Sequence, residues 1–86
     1  MRHYLVTIEI RDGENEYHEK QIVLLDEKEA PTDEKFIEQI YGDVPYSDYN
    51  KAWDIGNHAG WPLVRVYSYI LVKEEHIETL RYYGIW

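Results

Sequence analysis

The chain has 86 residues, a formal net charge of −8 and no cysteine, so disulfides and thiolate metal sites are excluded. A domain this short buries only about 60–65% of its unfolded surface, so its core must be thin. No apolar run approaches the ~20 residues of a membrane span. The first run is broken by Thr7 and Glu9 and lacks a small-residue cleavage site. The expectation is a single domain, residues 1–86, working in the cytoplasm without membrane contact.

Tyr4, Val6, Ile8 and Ile10 alternate with Leu5, Thr7 and Glu9, the period of a half-buried strand. This first strand runs from Arg2 to Arg11. Asp12-Gly13 signals a turn, and a five-residue loop would align Val6 with Ile22 and Tyr4 with Leu24. The second strand is then Tyr17–Leu25, polar in its first half and apolar in its second.

After the charged connection Asp26–Pro31, Thr32 can cap a helix over about residues 33–41. Asp33 and Glu34 suit its positive end, and Gly42 can terminate it. Phe36, Ile37, Ile40 and Tyr41 form its apolar stripe. Within residues 43–62, Ser47 and Asp48 can cap a short helix to Ile55, with Tyr49 and Trp53 one turn apart, but Asn57, Gly60 and Pro62 are loop residues, so the helix is brief or absent. Trp53 and Trp61 are assigned to the core.

Leu63–Lys73 is the third strand. Val64, Val66, Ile70 and Val72 share one face; Leu63, Arg65, Tyr67, Tyr69 and Leu71 share the other. Glu74-Glu75 open a last helix, over about residues 75–83, with Gly84 in the left-handed terminating position and Ile85 folding back on Leu80. Together these predict an α+β fold: a small three-stranded antiparallel sheet, order 2-1-3, with two or three helices packed on one face.

Catalytic chemistry finds little support. His3, His18, His58 and His76 form no ligand pair of helical spacing, and the glycines are isolated rather than grouped in a phosphate loop. Ser47 and Thr32 read as caps, and Thr7 and Ser68 as strand residues. No metal, cofactor or enzymatic activity is expected. Direct nucleic-acid binding would need clustered lysine and arginine, and here they are scattered.

Two features point instead to protein recognition. Residues 12–48 hold twelve acids against three lysines, while the rest of the chain carries a net +1. There are also nine tyrosines, three tryptophans and one phenylalanine, more than a thin core can bury with every hydroxyl satisfied. The expected partner-binding surface is Glu27, Glu29, Asp33, Glu34, Glu38, Asp43, Tyr46, Asp48 and Tyr49. Its expected partner is a basic protein, such as the nucleic-acid channel of a DNA- or RNA-handling machine.

By size and charge alone the chain is similar to the class of phage-borne inhibitors that mimic DNA or block CRISPR effectors. Two alternatives come from other classes. One is a small-ligand or catalytic module using the aromatic loop 43–62 and His58. The other is a homodimer through Tyr67, Tyr69 and Leu71 of the third strand.

Overall fold

The computed structural model describes residues 1–56 and 60–84, so His58, Ile85 and Trp86 lie outside the described residues. Its elements are β1 (Arg2–Asp12), β2 (Asn15–Leu25), α1 (Asp33–Tyr41), β3 (Tyr46–Ser47), β4 (Ala52–Asp54), β5 (Leu63–Val72) and α2 (Glu74–Tyr82). The architecture is α+β with an antiparallel sheet ordered β2-β1-β5-β4-β3. The expected 2-1-3 core is present as β2-β1-β5, but the sheet has five strands rather than three and the described helices are two. Among the described residues no helix is long and apolar enough to cross a membrane.

β1 supplies the centre of the core. Tyr4, Val6, Ile8 and Ile10 are buried on its first face, joined by Val23 and Leu25 from β2 and Val64 from β5. α1 covers this face with Phe36 and Ile37, which are 0% and 1% exposed. The Phe36 ring lies 5.4 Å from Tyr4 and 4.9 Å from Tyr69. The cap is as the sequence predicts: Thr32 Oγ1 accepts from the Lys35 amide at 3.2 Å.

Three local readings are corrected. The β1–β2 turn has two residues, Gly13-Glu14, with Gly13 at φ +64°, so Tyr4 faces Val23 and Leu5 faces Ile22. Asp12 stays in the strand opposite Asn15, because a left-handed glycine at the first turn position suits the twist of a hairpin. A one-residue change of register exchanges the faces of a strand. Val23 and Leu25 therefore enter the core, and Leu24 remains 38% exposed.

The second correction concerns residues 46–54, which form the small hairpin β3–β4 rather than a helix. Ser47 does cap, accepting from the Asn50 amide at 3.2 Å, but what it closes is the hairpin turn, with Lys51 at φ +53°. Trp53 and Asp54 pair with Val64 and Leu63 at the edge of β5, a tertiary anchor that a short isolated helix would lack.

The third is a bulge in β5. Thr7 faces Ser68 and Ile8 faces Val66, so Tyr67 has no partner on β1. The extra residue reverses the alternation along β5. Val64 and Val66 share the first face with Tyr69 and Leu71, whereas Ile70 and Val72 lie on the second. Tyr69 thus packs on Phe36 and Tyr4 instead of standing outward with Tyr67, which stacks on His18 at 4.7 Å.

The second face of the sheet is largely open. At one end Arg65 holds Glu9 by two hydrogen bonds, Nε to Oε2 at 2.9 Å and Nη2 to Oε1 at 2.7 Å. At the other, Leu5, Ile70 and Val72 meet His76 and Leu80 of α2 around a shallow cleft of about 200 Å³. α2 therefore lies beside this face, not with α1 on the first, and none of its described side chains is buried.

Phe36→Ala should cost about 3–5 kcal/mol, a large part of the stability of so small a domain, read as a drop in urea midpoint. A pH effect follows from Glu9, whose carboxyl is lowered from its ordinary 4.5 to about 2, chiefly by the Arg65 hydrogen bonds and against the burial that alone would raise it. A lowered folded pKa stabilises above the unfolded value and is lost as pH falls through the folded one. Glu9→Gln should be about 1–2 kcal/mol less stable at pH 7, and the difference should shrink between pH 4.5 and 2.

Candidate functional site

Several of the acids that the sequence singles out meet aromatic rings along one flank of α1. Thr32 starts the helix, and Asp33 and Glu34 occupy its first turn, where carboxylates are favoured by the unpaired amides. Because Phe36 and Ile37 must point into the core, Glu34 and Glu38, one turn apart, are left outside. Gly42, at φ +83°, ends the helix by donating its amide to the Glu38 carbonyl at 2.8 Å. The chain then passes Asp43 and enters β3.

The β3–β4 hairpin brings the aromatic part. Tyr46 faces Trp53 in the ladder, their rings 4.7 Å apart at 66°. Trp53 in turn faces Val64 of β5 and packs half-buried against the core. Beside it, the buried Asp54 carboxylate accepts from the amides of Gly56 at 2.8 Å and Gly60 at 2.9 Å. Gly56 has no room for a side chain, since a Cβ there would collide with the Trp61 carbonyl. Trp61 itself is 59% exposed rather than in the core.

Between helix and hairpin runs an open groove of about 490 Å³, lined by Thr32, Asp33, Glu34, Tyr46 and Trp53. A smaller depression of about 50 Å³ continues it past Glu34, Glu38, Asp43 and Trp53. Asp33, Glu34, Glu38, Asp43 and Tyr46 are thus brought together around Trp53. Among the described residues none of these four acids forms an ion pair. Glu29 is different: it holds Lys35 Nζ at 2.9 Å and raises the pKa of that lysine, mainly through the hydrogen bond.

The other predicted site residues stand apart. Glu27 is exposed in the connection before α1, and Asp48 and Tyr49 lie in the β3–β4 turn, Tyr49 being 95% exposed. Tyr67, Tyr69 and Leu71 belong to β5 and are divided between its faces by the bulge. Trp53, which the sequence places in the core, is half-buried against it and also floors the groove. Its spacing of seven from Tyr46 would have shown this only if the hairpin had been recognised.

Other chemistry is sparse. Among the described residues no three His, Cys, Asp or Glu side chains are grouped to hold a metal ion. The chain matches no protein-family model, and no curated protein or solved structure is significantly similar to it.

The Asp54 hydrogen bonds tie the strand that carries Trp53 to the segment leading into β5. Asp54→Ala, which leaves two amides without their acceptor, should lower stability by about 1–3 kcal/mol in urea titration. It should also make the tryptophan emission more solvent-exposed.

Proposed function

We propose that the protein is a binding module whose acid-lined groove docks on a basic surface of a partner protein. Its best-fitting role is an inhibitor that occupies a nucleic-acid-binding face, in the manner of a DNA mimic or an anti-CRISPR protein. The observation that carries this reading is the gathering of Asp33, Glu34, Glu38 and Asp43, none in an ion pair among the described residues, around the Tyr46–Trp53 rings.

A lysine or arginine side chain entering such a groove gains on two sides. Carboxylates accept hydrogen bonds from its head, and the indole face attracts the cation, a contact of about 0.5–2 kcal/mol depending on desolvation. Residues that already attract one another by charge also speed encounter, because the field of the acidic stretch extends about a Debye length, ~8–10 Å, into solution. A surface evolved to hold phosphates carries arginine and lysine at high density, and so presents the complement of this groove.

Binding of an arginine-rich peptide, followed by tryptophan fluorescence, tests the groove. Glu34→Lys/Glu38→Lys should weaken it about tenfold or more and flatten its dependence on salt. Glu75→Lys/Glu78→Lys changes net charge equally on α2 and should leave affinity within about twofold. Equal losses in the two variants would remove the groove and leave only net charge. On a basic DNA-binding protein, the wild type should displace duplex DNA and Glu34→Lys/Glu38→Lys should not.

A further inference from the structure

β5 is paired along its whole length on one side only. β4 covers Leu63 and Val64 on the other side and then ends. Among the described residues no backbone hydrogen bond from a turn, loop or helix reaches Val66–Val72. Burial follows this boundary: Leu63 and Val64 are buried, whereas Tyr67, Tyr69, Ile70 and Leu71 are 63%, 41%, 60% and 54% exposed. A row of unmet amides and carbonyls flanked by apolar side chains is a template for another strand.

The composition of that edge identifies what can pair with it. Val66–Val72 reads Val-Tyr-Ser-Tyr-Ile-Leu-Val, seven residues without charge, glycine or proline in a chain that is 30% charged. The other long edge, β2, is defended by Glu16, Glu19 and Lys20. A basic strand would find no carboxylate along β5 to match it and would be drawn to the acids of α1. The complement of a neutral apolar edge is another neutral apolar strand, and this chain supplies one at equal concentration.

We propose that two copies of the protein associate through this edge, β5 against β5, antiparallel about a two-fold axis at Tyr69. That midpoint pairs the whole free stretch with itself. Val66 faces Val72 of the second copy, and Ser68 faces Ile70. The partner's strand then ends opposite Val66, two residues short of the position that β4 already occupies beside Val64. At the ends Lys73 comes opposite Arg65, whose guanidinium is already held by Glu9. The contact is isologous and closes on itself, so it yields a dimer rather than a fibre.

Ser68 and Ile70 are exposed, share the second face and face each other twice across the axis, so they report on both association and register. Sedimentation velocity should find the wild type dimeric at micromolar concentration. Dimerisation should strengthen with added salt, because salt screens the repulsion between two chains of charge −8. Binding in the acidic groove weakens with salt, so the two proposals fail separately. Ser68→Lys/Ile70→Lys sets lysine across from lysine and should give a folded monomer by circular dichroism. Ser68→Glu/Ile70→Lys sets opposite charges across the axis and should restore the dimer. Backbone amides of Val66–Val72 should gain hydrogen-exchange protection with protein concentration. A monomeric wild type, a dimer indifferent to Ser68→Lys/Ile70→Lys, or no restoration by the opposite-charge pair would each overturn the proposal. So would protection of that edge appearing only when a different protein is added.

Discussion

One nine-residue helix is the lid of the whole core, and Phe36 is its keystone. A three-strand platform of β2, β1 and β5 presents Tyr4, Val6 and Ile8 on a single face, and α1 covers them with Val44, Trp53 and Ile55 packed alongside. The ring contacts of Phe36 with Tyr4 and Tyr69 join that lid to the central strand and to β5 at once. Fixing the helix in this way also fixes which of its residues face water. Glu34 and Glu38 are outward because Phe36 and Ile37 are inward, so the chemistry of the groove is a by-product of how the core is closed. A change inside the core would be felt first at the acidic surface, through the orientation of the helix that carries it.

The short β3–β4 hairpin completes the same logic from the other side. It is too small to hold itself together, since two and three residues form its strands. It persists because Trp53 packs on the core and pairs with Val64, and because Asp54 gathers the two amides that follow. Acids from α1 and rings from the hairpin therefore share a groove only while both elements are seated on one sheet. Neither element would present the arrangement alone.

Much of this was legible in the residues, and what was not has identifiable causes. The period-two pattern of Tyr4–Ile10 and the stripe Phe36, Ile37, Ile40, Tyr41 identified the two elements that make the core, and the Thr32 cap set the start of α1 to the residue. The order β2-β1-β5 followed from short connections and handedness. The hairpin register was missed because Asp12-Gly13 looks like the turn pair, while Gly13-Glu14 forms it. The bulge was missed because it carries tyrosine, with no glycine or proline to mark it. A brief helix from Ser47 to Ile55 competes with the hairpin in the sequence because Ser47 is a good cap, and a cap serves a turn as readily as a helix. For the site, the acids were visible as a charge excess. Which of them converge on Trp53 depended on that hairpin and could not be read from charge.

Tyr67 has a different standing from its neighbours in β5. If it were absent, Val66 would still face Ile8 and Ser68 would still face Thr7, and the remaining residues would form an unbroken alternation on both faces. The strand is thus a regular one carrying a single inserted letter. Deleting Tyr67 would leave every other side chain of the strand on its present face. What the bulge adds to the strand is the tyrosine stacked on His18, so its removal would change the displayed surface more than the packing beneath it.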